Sequence, residues 1–531
     1  MFGVSISKKE WLYVAAWAIV MVTFSLLPHI VGYASEPEGK QYMMTGYPIY
    51  QDANTYFTWI RQAAEGNILF QIKYTHEPHV QAFFHPLFLV MGLLVRAGIP
   101  LEAVWYGTQA LAVIVLVFML YVFYSRYFAA IRKRLFALVL SCVAGGFGFL
   151  MFAFRIWPAF KWRPVDVELP EATIGYSMMW PAVFAFSIAL MLAIFLLLIS
   201  YQHDRRWRPM VTAGFLSLIL GLIHPYDSVI VAFVAALYFF ITLGRKAFLP
   251  LAVIGGFIAV PAAYHLWLLQ DPVFAEHATF SMLSPSPIAY VVGFGFVLML
   301  AILGIIEAMR TGHVRKASNW LLPIAWAVVL PVMLYFPISF QRRLVEGAIV
   351  ALVLFTVVGL ERIWSIVKIA LGGSTRLIAA FRWGLMALSV VIMGLTTVTH
   401  VLYDVRNIQS GSFPFYFTDG MVEAMQWLED NTAREDVVLS TWGTGNFIPR
   451  VSGNTVFLGH GAQTVHAIDK HFLAEDFFSG RMSLAEQDAL LSDNNISYIF
   501  AGPFERKGGL ITTKASVVFE NSDVSIYKVD R

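Results

Sequence analysis

An aspartate at the start of a long polar segment is the first residue of this sequence that could do chemistry. Asp52 stands second in the polar segment 51–86, in which Tyr56, Trp59 and Ile60 recur at helical spacing. The carboxylate could cap a helix, since aspartate is a preferred N-cap residue. Beside a strongly apolar domain, it could instead act as a general base that takes a proton from a hydroxyl or amide. The sequence leaves both interpretations open.

An acidic pair in a second polar segment could bind a metal ion. Asp166 and Glu168 stand two positions apart, which places both side chains on one side of an extended loop. Together with a distant acid such as Asp52, they could hold Mg²⁺ or Mn²⁺ through oxygen ligands. A solvated acidic loop would show the same pattern. Glu171, in the same loop, is a further candidate.

Two adjacent arginines at the end of an apolar run suggest an anion site. Gln341, Arg342 and Arg343 are consecutive, and guanidinium groups suit phosphate oxygens. The arginines could also pair with lipid headgroups or with Glu346. His224, in another short loop, could be a second phosphate contact or a polar residue at a helix end.

The composition indicates a membrane protein, whose apolar helices would position these residues. Of 531 residues, 58% are hydrophobic and 13% are charged, and the mean hydropathy is +0.67. Soluble domains contain less apolar and more charged sequence. The chain has one cysteine, Cys142, which excludes a disulfide or a cysteine-based metal site within the chain. The net charge of +3 indicates no partner by itself, and we expect no nucleic acid.

Eleven apolar runs approach or exceed the length that crosses a bilayer. The run 85–98 is shorter and suits an interfacial or re-entrant helix. If the run 85–98 does not cross the membrane, the later basic loops fall on the same side as Lys8 and Lys9. The positive-inside rule favours this arrangement. The predicted spans are 11–33, 103–125, 134–154, 179–200, 209–223, 228–244, 248–268, 288–308, 320–337, 344–361 and 380–402.

This arrangement predicts an integral plasma-membrane protein with a cytoplasmic N-terminus. The membrane domain would comprise residues 1–403, with a first external loop at 34–102 and a second at 155–178. Residues 404–531 are more polar, and strand-like runs alternate with helical patterns there. We therefore expect a small extracytoplasmic α/β domain at the C-terminus. His460 and Lys470 of this domain could contact an acceptor or be ordinary surface residues.

With these positions in place, the sequence resembles the GT-C superfamily of integral-membrane glycosyltransferases. That superfamily includes protein O-mannosyltransferases, aminoarabinose transferases and the catalytic subunits of oligosaccharyltransferases. Asp52 resembles the acid found early in their first external loop. His85-Pro86-Leu87 is similar to the element that leads a helix that does not span. Asp166-Val-Glu168 stands where oligosaccharyltransferases carry a D-x-D-like metal motif, and FQRRLVEG (340–347) resembles bacterial members.

The resemblance implies a polytopic α-helical GT-C-like fold and a hexosyl- or pentosyltransferase. A polyprenyl-phosphate sugar would be the donor, with its phosphate on Arg342, Arg343, Gln341 and His224. Asp52 would deprotonate an acceptor on a protein, glycan or lipid, which attacks the anomeric carbon with inversion. Tyr56, His85 and Glu171 are candidates for acceptor or loop contacts. No nucleotide is expected, since the chain has no P-loop or dinucleotide-binding context.

Two other classes of function compete with this one. A transporter or flippase of lipid-linked sugars would also be polytopic, but such proteins tend to show repeat symmetry and ionisable groups within their spans. The polar residues of this sequence concentrate instead in loops and in the tail. A scaffold that binds cell-wall polymer or a partner protein would leave the arginines and acids without a shared purpose. The sequence does not select the sugar or the acceptor.

Overall fold

The computed structural model describes residues 6–46, 50–154, 162–314, 318–370, 375–506, 512 and 514–530. Residues 155–161 of the predicted second loop lie outside the described part. The helices are Lys8–Ala34, Tyr50–Glu65, Pro86–Arg96, Leu101–Ser125, Ile131–Val143, Phe149–Phe154, Val165–Glu168, Ile174–Met179, Ala182–Asp204, Trp207–Ile223, Pro225–Leu243, Phe248–Leu268, Pro272–Thr279, Pro287–Arg310, Leu321–Leu334, Ala348–Ala370, Thr375–Ile408, Asp419–Asn431, Trp442–Val451, Ala467–Phe478 and Leu484–Asp493.

Long apolar helices make this an integral membrane protein. Within the described ranges, seven helical segments have the length and composition to cross a bilayer. The prediction for 85–98 agrees with its length, because Pro86–Arg96 has 11 residues and spans only about 16 Å. The seven segments are Lys8–Ala34, Leu101–Ser125, Ala182–Asp204, Pro225–Leu268, Pro287–Arg310, Gln341–Ile369 and Ile378–Ile408.

One predicted span is wrong as a single helix. The run 134–154 is divided into Ile131–Val143 and Phe149–Phe154. Between them the Gly145 N–H donates to the Met393 carbonyl at 2.7 Å, so the backbone leaves the helical hydrogen-bond pattern. A Cβ on Gly146 would lie 2.4 Å from the Gly293 carbonyl oxygen. The close approach of two backbones, which glycine permits, breaks the helix here.

The chain divides into two compact units, which are described separately. The first unit comprises 1–27, 106–265 and 281–403, and contains most of the apolar helices. The second unit comprises 28–105, 266–280 and 404–531. Residues 404–531 therefore share a unit with the predicted first loop, a grouping that hydropathy and charge did not indicate.

The second unit contains the strands. Lys40–Tyr42 of the first loop pairs antiparallel with Tyr416–Thr418 of the tail, with Gln41 opposite Phe417. A five-stranded mixed sheet has the order Thr455–Val456, Val437–Leu439, Ile496–Ala501, Ser525–Val529 and Ala515–Glu520. The first three of these strands are parallel, and the last two are antiparallel additions. The expected α/β character of the tail is confirmed.

Candidate active site

Asp52 lies in the first turn of the helix Tyr50–Glu65 and does not open it. The helix begins two residues earlier than the sequence pattern suggested. The Asp52 side chain is 42% exposed, so water or a ligand can reach its carboxylate. A negative charge in the first turn is favoured by the positive end of the helix dipole.

The imidazole of His460 faces this carboxylate. His460 Nε2 lies 3.5 Å from Asp52 Oδ1, and the histidine side chain is 6% exposed. His460 Nδ1 accepts hydrogen bonds from the backbone N–H groups of Ala462 (3.0 Å) and Gln463 (3.2 Å). A nitrogen that accepts carries no proton, so the neutral ring has its hydrogen on Nε2, the ring nitrogen for which the 3.5 Å distance to Asp52 is measured.

The loop that carries His460 is fixed to the first loop of the chain. The Gly461 N–H donates to Gln51 Oε1 at 3.0 Å. Thr464 Oγ1 donates to the Tyr74 carbonyl at 2.7 Å and accepts from the Gly459 N–H. These bonds hold His460 beside Asp52, although the two residues are far apart in the sequence. The sequence analysis missed this pairing, and no local pattern in the sequence indicates it.

Tyr56 and His85 belong to an aromatic cluster rather than to an open surface. The His85 ring stacks on Phe88 at a centroid distance of 4.1 Å, and Tyr56 stacks on the same phenyl ring at 4.7 Å. Trp59 completes the cluster, and the His85 side chain is buried. These rings pack the helix Tyr50–Glu65 against Pro86–Arg96. Tyr56 and His85 therefore contribute to packing between two helices, whereas the sequence suggested contacts to an acceptor or within the loop.

The first unit holds a second group of ionisable residues, the carboxylate cluster of His224, Asp227 and Glu346. His224 Nδ1 lies 3.2 Å from Asp227 Oδ2 and 3.3 Å from Glu346 Oε2. Both carboxyl side chains are fully buried. The predicted phosphate contact His224 therefore faces two acids.

Local backbone geometry brings these three side chains together. His224 ends one helix, and Pro225 starts the next at its first position, so Asp227 falls in the first turn of Pro225–Leu243. Glu346 lies just before the helix Ala348–Ala370. Between them Gly347 has φ +71°, which favours glycine and lets the chain turn into the helix.

The two arginines have different surroundings. Arg343 Nη1 pairs with Glu171 Oε1 at 2.5 Å, and Glu171 is 2% exposed. Arg342 Nε has no hydrogen-bond partner among the described residues. The Gln341 amide donates to the Phe336 carbonyl and accepts from the Ser284 N–H. Of these three residues, Arg342 is therefore the one whose side chain makes the fewest polar contacts with the described residues.

Asp166 and Glu168 do not share a face. The expected extended loop is wrong here, because Val165–Glu168 forms a turn of helix, in which side chains two positions apart diverge. Asp166 is buried, and its Oδ2 accepts from the N–H groups of Gly146 (2.9 Å) and Gly148 (3.1 Å), whereas Glu168 is exposed. The carboxylate of Asp166 thus stabilises the break between the two helix segments of 134–154.

The pKa of Asp166 predicts a pH effect on stability. Burial raises this pKa from 3.8 to about 7. The stabilising contribution of this raised pKa is fully present below pH 3.8, where the carboxyl is protonated in both the folded and the unfolded chain. It is lost as the pH rises from 3.8 through about 7, because the unfolded chain releases the proton in this range while the folded chain holds it. Between pH 5 and 8 the melting temperature of the wild type should fall more steeply than that of Asp166→Asn.

Thermal unfolding in detergent, followed by tryptophan fluorescence at several pH values, measures this difference. Glu168→Gln is the matched control, since its carboxylate is exposed, and it should keep the wild-type slope. Parallel curves for the wild type and Asp166→Asn would contradict the assignment.

Lys470 is not a surface residue. Its Nζ lies 2.6 Å from Glu77 Oε1, and the side chain is 6% exposed. Burial lowers its pKa, while the Glu77 carboxylate acts in the opposite direction. This ion pair holds the helix Ala467–Phe478 to the first loop. Of the two tail residues that the sequence suggested, His460 is the one that lies beside the candidate base Asp52.

Comparisons with known proteins relate this arrangement to solved structures. No protein-family model and no curated protein sequence matches the chain. Archaeoglobus fulgidus oligosaccharyltransferase in the apo form matches 93% of this chain and 70% of its own, with a TM-score of 0.56 and 14% identity. ArnT from Cupriavidus metallidurans, bound to undecaprenyl phosphate, matches 96% and 98%, with a TM-score of 0.55 and 13% identity.

The mycobacterial arabinofuranosyltransferase AftD matches all of this chain and 42% of its own, with a TM-score of 0.55 and 14% identity. These proteins are GT-C superfamily glycosyltransferases. The resemblance seen in the sequence is therefore confirmed as a GT-C fold, which here combines apolar membrane helices with a small C-terminal sheet.

Proposed function

We propose that this protein is a membrane glycosyltransferase that moves a sugar from a polyprenyl-phosphate donor to an acceptor on the extracytoplasmic side. The observation that carries the proposal is the GT-C fold over nearly the whole chain, including a match to ArnT bound to undecaprenyl phosphate. A fold alone does not determine a reaction. The accessible carboxylate of Asp52, held beside a buried histidine, supplies a group suited to this chemistry.

Asp52 is the general base of the proposed reaction. The acceptor oxygen or nitrogen attacks the anomeric carbon of the sugar, and its proton passes to the Asp52 carboxylate. The bond between the anomeric carbon and the phosphate oxygen breaks, and the lipid phosphate leaves with the electron pair. One displacement on the face opposite the leaving group inverts the anomeric configuration.

His460 positions this base. In the proposed reaction, the imidazole of His460, whose Nε2 lies 3.5 Å from Asp52 Oδ1, closes on that oxygen and orients the carboxylate towards the acceptor. The backbone bonds at Nδ1 hold the ring in the required tautomer. We therefore assign His460 a positioning role.

Arg342 is the main contact to the donor phosphate in this proposal. A guanidinium group binds phosphate with charge-assisted hydrogen bonds, and the fold gives Arg342 Nε no partner within the described residues. Arg343 is already engaged by Glu171, and Gln341 by backbone groups. These two residues, and His224, would support the site rather than meet the phosphate first.

Turnover of defined donors by the purified protein tests the proposal. We expect release of polyprenyl phosphate from one member of a panel of short-chain polyprenyl-phosphate sugars that includes mannose, arabinose and a hexosamine. Mass spectrometry of the lipid product measures the release. A panel with no consumed donor, in the presence of peptide, glycan and lipid acceptors, would count against the glycosyltransferase.

A flippase is the second candidate, and the carboxylate cluster favours it. Ionisable residues inside spanning segments often mark a transport path. Asp227 and Glu346 lie within two of the candidate spans, and both are fully buried. A fluorescent polyprenyl-phosphate sugar in liposomes that contain the protein distinguishes the two. Protein-dependent loss of the label from one leaflet without donor consumption would support the flippase.

A further inference from the structure

Three buried side chains converge in the carboxylate cluster. His224 Nδ1, both Asp227 oxygens and both Glu346 oxygens lack a hydrogen-bond partner among the described residues. The histidine nitrogen nevertheless lies 3.2 and 3.3 Å from two of those oxygens. Buried polar atoms in proteins are rarely left without a partner, so this cluster either shares protons among its own members or binds a ligand.

The spacing of these atoms suits a metal ion. A cation with bonds of about 2.1 Å in tetrahedral geometry separates its ligand atoms by about 3.4 Å. One donor atom from each of His224, Asp227 and Glu346 lies within 4.8 Å of the other two, and two of the separations are 3.2 and 3.3 Å. The third separation, between the two carboxylates, is at most 4.8 Å.

The charges of the surroundings also favour a cation. Asp227, Glu346 and Glu171 are three buried acids, and the Arg343 guanidinium that lies near them pairs with Glu171. Two adjacent buried carboxylates without a counter-ion are costly. Pairing to a cation removes that cost, whereas burial of a bare phosphate beside them would increase it.

We propose that His224, Asp227 and Glu346 form a divalent cation site. The imidazole ligand favours a transition-metal ion such as Zn²⁺ or Mn²⁺ over Mg²⁺ or Ca²⁺. Three protein ligands leave a coordination position open for water or for an oxygen of a bound anion. These are not the residues that the sequence suggested for a metal, Asp166 and Glu168.

Metal content tests the site without any assay of activity. The purified protein is stripped with EDTA, dialysed against Zn²⁺ or Mn²⁺, and measured by inductively coupled plasma mass spectrometry. We expect about one ion per chain in the wild type, and affinity at least ~100-fold weaker in Asp227→Asn and Glu346→Gln, beyond the 10–100-fold typical of outer-shell changes. Glu168→Gln is the matched control and should retain the ion.

Thermal unfolding separates loss of the ion from loss of the fold. A bound ion stabilises the folded state, so EDTA should lower the melting temperature of the wild type and leave that of Glu346→Gln unchanged. In EDTA the variant should be at least as stable as the wild type, because a buried charge has been removed. Retention of the ion by both cluster variants, or its loss only in Glu168→Gln, would overturn the proposal.

A wild type that binds neither ion would also overturn it. The proposed glycosyl transfer is judged by donor consumption, so either proposal can fail while the other holds.

Discussion

Replacing Asp52 with asparagine should lower the rate of sugar transfer by at least about 10³-fold, within the 10²–10⁴-fold range for loss of a general base. Asparagine has nearly the same shape, but it cannot take the acceptor proton. Because Asp52 is 42% exposed, we expect little change in the melting temperature. The measurement is release of polyprenyl phosphate at saturating donor, compared with thermal unfolding of the same preparations.

Two matched variants make this result specific. Asp493→Asn changes an exposed carboxylate in the same unit and should retain the full rate. His460→Gln should lower the rate less than Asp52→Asn and should shift the acid limb of the pH–rate profile, since the group that orients the base has changed. A rate for Asp52→Asn above a tenth of the wild type would remove Asp52 from the catalytic role.

Arg342→Met and Arg343→Met should separate donor binding from stability. Arg343→Met leaves Glu171 buried without its partner, at 2% exposure, and should destabilise the protein by about 3–5 kcal/mol. Arg342→Met removes a guanidinium whose Nε has no partner among the described residues, so the melting temperature should stay near that of the wild type. Its donor KM should rise by about 10–100-fold, the effect of about 1.5–3 kcal/mol from a charged hydrogen bond.

A compensating variant checks the first half of this prediction. Adding Glu171→Gln to Arg343→Met removes the unpaired buried charge and should restore most of the melting temperature. Equal melting temperatures for the two single arginine variants would show that the ion pair with Glu171 contributes little. An unchanged donor KM in Arg342→Met would exclude Arg342 as the phosphate contact.

Several elements could be predicted from the sequence because their causes are local. Apolar runs of sufficient length form helices at the predicted positions, since backbone groups in a membrane must bond within their own segment. The run 85–98 forms a helix of 11 residues, which is too short to cross a bilayer, as the length of the run indicated. Alternating strands and helices in 404–531 form an α/β sheet, as their periodicity indicated.

Other elements depended on contacts between distant segments. The predicted span 134–154 is divided because Gly146 meets the backbone of Gly293, and Asp166 bonds to the N–H groups that the break leaves. Hydropathy does not record such contacts. Asp166 is therefore buried and bonded to backbone groups, whereas the sequence pattern suggested that it lies on an extended loop and binds a metal ion.

The sequence by itself determined the class of protein, the helices and the residue types capable of chemistry, because composition and period act over short stretches of chain. Only the tertiary structure decided which of those residues meet. His460 faces Asp52, Glu171 engages Arg343, and His224 joins Asp227 and Glu346. The physical reason is that burial and the pairing of charges are set by long-range packing, and a residue's neighbours along the chain do not encode its neighbours in space.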